Sequence, residues 1–159
     1  MEKQLAEIYK MLANKIATMI PVAWSKLYYL GEIENGKKSW SSVFYFSIEN
    51  EKNMIKSHTI PEKFGVSGEI YDELLNEVNE LLLELYDCFQ TNEQELWEQV
   101  KLFLDKDGKF NIDYSYDVIN ENDGGQVRRE LVWAYETFAF LPKEGSYTRN
   151  LLNEYIANK

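Results

Sequence analysis

Apolar residues Leu5, Ile8, Tyr9, Leu12, Ile16, Met19 and Ile20 recur at three- and four-residue steps until Pro21 stops them. That spacing predicts an amphipathic helix over residues 2–20, with one face packed on something larger. Residues 24–33 then turn aromatic and β-branched, Asn35-Gly36 supplies a hairpin signal, and residues 40–48 return as a second strand. Asn and Gly both tolerate the positive φ that a two-residue type I′ turn demands. A third strand is predicted over 53–59, ended by Ile60-Pro61, so the sheet begins as an antiparallel meander.

Ser67 is suited to cap a helix, and after it Tyr71, Leu74, Leu75, Val78, Leu81, Leu82, Leu85, Cys88 and Phe89 trace a broad apolar stripe. Residues 99–104, the turn Asp105-Lys106-Asp107-Gly108 and residues 109–117 read as a second hairpin. In its return strand Phe110, Ile112, Tyr114 and Tyr116 alternate with Asn111, Asp113, Ser115 and Asp117, the period of a strand with one buried and one wet face. Phe44, Phe46, Phe110, Tyr114 and Tyr116 are expected in the core. Gly124 and Gly125 precede a helix predicted over 126–140 and closed by Leu141-Pro142, and a short helix is predicted over 147–157. The expected class is α+β: an antiparallel sheet of about five strands, two hairpins plus one strand, packed with three to four helices. Neither a linker nor a repeat divides the sequence, so residues 1–159 are expected to form one domain, with 143–159 as a helical extension.

Composition narrows the function. An acidic excess of 27 over 17 basic residues gives a net charge of −10, which disfavours direct contact with nucleic acid or an anionic membrane and favours a basic partner. The lone Cys88 permits no internal disulfide, no apolar run approaches a membrane span, and the N-terminus lacks a signal-peptide pattern. The cytoplasm is the expected compartment. Residues 64–100 contain ten acids and no Lys or Arg, while the remainder balances at 17 against 17.

Within that stretch Glu73, Glu77, Glu80, Glu84 and Asp87 fall at i, i+4, i+7, i+11 and i+14, in a line on the helix face away from the leucines. Like charges at this spacing cost roughly 0.2–0.5 kcal/mol per pair. Such a stripe is either a solvated face, neutralised by lysines from elsewhere in the fold, or a docking strip for a basic surface. A straight stripe lacks the convergence of a metal site. Asp113 and Asp117, on the wet face of the second hairpin, form a second candidate region with Asn111 and Ser115. His58 has no second histidine to build a metal site or triad with, and Cys88 reads as a packing residue. Asp105-Lys106-Asp107-Gly108 faintly matches a calcium loop, but Phe110 and Tyr116 stand where an EF-hand needs Gly and Glu. No phosphate loop, dinucleotide fingerprint or nucleophile elbow is present. No cofactor or metal is expected. Of the tryptophans Trp24, Trp40, Trp97 and Trp133, some are expected as exposed anchors, without the sequence telling which.

Met19-Ile20-Pro21 with Trp24 and Tyr28, then Ser57-His58-Thr59-Ile60-Pro61, Trp97, the segment from Gly108 to Tyr116, and finally Arg129, Trp133, Tyr135 and Leu141-Pro142 together resemble the YezG-type immunity proteins. The resemblance runs from about Tyr9 to Pro142. It departs at His58-Thr59, where an acidic residue before Ile-Pro is usual, and in the tail after Pro142, which has no recognised counterpart. The resemblance implies an antitoxin that binds a secreted bacterial toxin in the cytoplasm and blocks its active-site or substrate surface. Toxins of such pairs are commonly nucleases carrying an LXG or related type VII secretion region. The expectation is therefore a non-enzymatic inhibitor whose partner is a cognate toxin domain with a basic surface. The other readings are a self-associating scaffold and a carboxylate-dependent hydrolase acting through Glu77 or Glu80.

Overall fold

The computed structural model describes residues 1–119 and 123–159, and its contacts divide the chain into two units, Met1–Val118 and Ile119–Lys159. In the first unit α1 (Glu2–Met19) buries Ile8, Leu12, Ile16 and Met19, as the spacing predicts. β1 (Trp24–Glu34), β2 (Ser39–Ile48), β3 (Met54–Lys56), β4 (Gln99–Asp105) and β5 (Phe110–Ser115) form one antiparallel sheet in the order β3-β2-β1-β4-β5. β1 is central because it pairs with β2 on one side and β4 on the other. The long helix α3 (Gly68–Thr91) packs beside α1 on the face that carries Leu27, Tyr29, Ile33, Phe44 and Phe46.

Close approach of α3 to the sheet depends on Gly31. A Cβ there would stand 2.6 Å from Leu82 Cδ1 and 2.7 Å from the Tyr29 hydroxyl. Neither neighbour can swing away. Leu82 is fully buried, and the Tyr29 hydroxyl is 2.7 Å from Ser42 Oγ, which donates in turn to Asn79 Oδ1 on α3 at 2.6 Å. Since the Ser42 proton points at Asn79, the Tyr29 hydroxyl donates to Ser42, and burial pushes that phenol far above its ordinary range. Gly31→Ala is expected to cost about 1–3 kcal/mol through overpacking, read as a lower urea midpoint.

Four local expectations are corrected. The third strand spans only Met54–Lys56; Ser57–Thr59 forms a 3-10 turn and Ile60–Phe64 a short helix, α2. Ile60-Pro61 thus opens a helix instead of merely ending a strand, because proline in the first turn gives up a donor that has no partner there anyway. The first hairpin loop has four residues, since Glu34 pairs with Ser39 and Lys38 N–H donates to Glu34 C=O at 2.9 Å. Positive φ at Asn35, Gly36 and Lys37 spreads the reversal over three positions. Phe110 and Tyr116 are 38% and 44% exposed, because β5 is an edge strand that starts at Phe110 and ends before Tyr116. With α2 included, the helices number five among the described residues.

In the second unit α4 (Gln126–Phe138) stops two residues short of the expected end, at Ala139 in the left-handed conformation, φ 57°. α5 (Tyr147–Ala157) is capped by Ser146, whose hydroxyl accepts from Arg149 N–H at 3.2 Å. The two helices are tied by Glu136, which accepts from the Tyr155 hydroxyl and from Lys159 Nζ at 2.8 Å.

Candidate functional site

α3 starts where the Ser67 hydroxyl accepts from Ile70 N–H and then separates two faces by simple helical period. Tyr71, Val78, Leu82, Leu85 and Phe89 enter the core, while Glu73, Glu77, Glu80 and Glu84 are exposed and Asp87 is half-buried. Two of the five carboxylates are matched from outside the helix. Lys15 of α1 reaches Glu77 at 2.8 Å, and Lys37 of the first hairpin loop reaches Asp87 at 2.5 Å. Exposed pairs of this kind contribute about 0–1 kcal/mol, so they trim the like-charge cost without cancelling the field. Among the described residues Glu73, Glu80 and Glu84 have neither ion pair nor hydrogen bond.

Asp113 and Asp117 do not join this group. Ile112 and Tyr114 pack into the core beneath the helices, so alternation turns Asp113 to the opposite face of the sheet. Asp117 lies in a bend beyond the end of β5. Both are exposed, and the sheet stands between Asp113 and the stripe.

Of the four tryptophans only Trp40 is largely exposed, at 46%. It shares the helix-side face of β2 with Ser42, Phe44 and Phe46, and Ser42 is bonded to Asn79 of α3, so the indole stands at the margin of the acidic surface. Trp97 and Trp133 are buried, and Trp24 is half-buried. His58 Nδ1 lies 3.0 Å from the Tyr71 hydroxyl, and burial, then the Lys56 charge, lowers its pKa. Asp105 Oδ1 accepts from Asp107 N–H and Lys109 N–H, both at 2.9 Å, so the loop with calcium-like sequence uses its carboxylate to close a hairpin. Among the described residues no group of three or more His, Cys, Asp or Glu is arranged to hold a metal, and no helix is long and apolar enough to cross a membrane.

The buried Tyr29–Ser42–Asn79 chain and the Lys15 and Lys37 pairings have no motif to announce them. Helical phase puts Lys15 on the polar flank of α1, but only the packing of α1 against α3 brings it to Glu77.

A family model described as immunity protein YezG-like matches residues 5–152. The chain is 36% identical over 153 residues to "Immunity protein YezG" of Bacillus spizizenii, covering 96% of this chain and 93% of that one. It is 30% identical over 140 residues to "Immunity protein YezG" of Bacillus subtilis, covering 88% and 91%. It is also 30% identical over 155 residues to "Type VII secretion system protein EsaG" of Staphylococcus aureus, covering 96% and 92%. The family match continues past Pro142, so most of the tail expected to lack a counterpart has one.

Proposed function

Because the chain belongs to the YezG-like immunity protein family, we propose that it is an antitoxin that binds a cognate secreted toxin in the cytoplasm and masks its basic active-site or substrate surface. The toxin is a nuclease on this reading, since a groove built to hold phosphates is the surface a line of carboxylates complements. The carrying observation is the set Glu73, Glu80 and Glu84: exposed, co-facial, and without partners among the described residues. A sequence that keeps unrelieved like charges along one helix face accepts a stability cost, and docking supplies a reason for it. Glu77 and Asp87 extend the strip, with Lys15 and Lys37 free to be displaced by a stronger cation. Asp113 and Asp117 form a separate contact region. The protein acts by occupancy, not turnover. The family match spans both units, which supports reading residues 1–159 as one immunity module.

The test is a tagged pull-down from source-cell lysate at low salt, with nucleic-acid degradation measured before and after this protein is denatured away. A recovered toxin domain whose nuclease activity appears only after removal, and is lost again on adding one equivalent back, is the expected result. A recovered toxin that is fully active while bound would sink the masking mechanism.

A further inference from the structure

The two edges of the sheet are built differently. β3 offers three residues and turns at once into Ser57–Thr59, a short edge that cannot template much pairing. β5 offers six residues, pairs with β4 in unbroken register, contains no proline, and is exposed at Phe110, Asn111 and Asp113. It carries no bulge and no lysine and is not unusually short, and its one charged side chain is the exposed Asp113.

Backbone hydrogen bonds at the ends of β4 fix which groups of β5 face outward. Glu98, just before β4, accepts from Ile33 N–H and donates its own N–H to Ser115 C=O, while Lys106 N–H donates to Ser25 C=O, all at 2.9 Å; with the β1 register this turns the even-numbered residues of β4, 100, 102 and 104, to β1. Its odd-numbered residues therefore bond to β5, in agreement with the Asp105 N–H to Lys109 C=O bond at 3.0 Å. Asn111, opposite Phe103, and Asp113, opposite Lys101, spend their N–H and C=O groups on β4. The N–H and C=O groups of Ile112 and Tyr114 point away from the sheet, and among the described residues nothing receives them. Their side chains are held: Tyr114 stacks near Trp97 and its hydroxyl lies 2.5 Å from that of Tyr9, while Phe110 lies against the Tyr9 ring. The edge is thus rigid and ready before any partner arrives.

We infer that β5 takes up an extended strand of the toxin by β-augmentation, with main-chain bonds at Ile112 and Tyr114 and side-chain selection on the two flanking faces. This rests on the proposed antitoxin function and supplies it with a second contact, on a different part of the molecule from α3. A second copy of this chain is the poorer occupant, because each copy carries a charge of −10 and edge pairing would bring the two charges together. A basic toxin segment meets Asp113 mid-strand instead.

The probe is the toxin domain identified by the inhibition experiment, and the readout is residue-resolved amide hydrogen exchange on the full chain, free and in complex. Ile112 and Tyr114 amides are expected to exchange fast in the free protein and slowly in the complex, while Asn111 and Asp113 are slow in both. Ile112→Pro removes an outward donor without removing a bond to β4, and is expected to weaken toxin binding at least about tenfold. Unchanged exchange at Ile112 and Tyr114 in a complex that still inhibits overturns this inference and leaves the antitoxin reading standing. Slow exchange in the free protein, with a dimer mass by light scattering, assigns the edge to a second copy and also overturns it. Failure to form any toxin complex removes both.

Discussion

Glu73→Lys, Glu80→Lys and Glu84→Lys combined are expected to weaken toxin binding at least about 100-fold at low salt, since close interfacial charge pairs couple by roughly 1.5–7 kcal/mol and tenfold is about 1.4 kcal/mol. Titration calorimetry or surface-binding kinetics checks it. The loss should fall mainly on the association rate for positions at the rim and shrink as salt is raised, because exposed charges are screened over about 10 Å at 0.1 M. Stability should rise by roughly 1 kcal/mol, because the neighbour pairs 73/77, 77/80 and 84/87 turn from like-charged to opposite-charged while all three replaced side chains are exposed and bond to nothing in the described fold. Glu77→Lys alone is the instructive companion. It breaks the 2.8 Å pair with Lys15 and places two lysines together, so a reduced affinity there mixes local repulsion with lost docking. Unchanged affinity of the triple variant would remove the strip as the interface while leaving family membership untouched.

How much of this could be read from the chain depends on whether a feature is local. α1 and α3 are legible because a helix buries one stripe, and the spacings from Leu5 to Ile20 and Tyr71 to Phe89 record it directly. The carboxylate stripe follows from the same periodicity. Asp105 to Gly108 was recognisable as a turn, and its Asp-centred bonds are those a short side chain makes to its own backbone. Three things were not legible. Ile60-Pro61 reads equally as the end of a strand or the start of a helix, and only the left-handed Gly65 that closes α2 settles it. Strand order is set by tertiary pairing, so nothing in residues 110–117 announces an edge, and the expected burial of Phe110 and Tyr116 failed for that reason. Neutralisation of Glu77 and Asp87 depends on cations 62 and 50 positions distant in sequence, brought close by helix packing and loop geometry.

Trp97→Ala is expected to remove about 3–5 kcal/mol, a large part of the 5–15 kcal/mol typical of a domain. The indole is fully buried, and its ring meets Tyr86 at 5.4 Å, Phe89 at 6.1 Å and Tyr114 at 5.4 Å. It thereby joins the C-terminal part of α3 to β5, the two elements proposed to meet the toxin. Its Nε1–H is buried and has no acceptor among the described residues. Trp97→Phe therefore discards an uncompensated polar group together with part of the ring, and the two changes oppose each other. The expected cost is about 1–2 kcal/mol, well below that of Trp97→Ala. Urea unfolding measures both, with a lowered midpoint and an unchanged slope. Equal losses for Phe and Ala would mean that the indole N–H finds a partner in solution and that its bond, not the ring, is what the core requires. With the smaller loss, Trp97→Phe keeps α3 seated and should bind the toxin as the parent does, so its affinity separates the packing role of Trp97 from the charge role of Glu80 and Glu84.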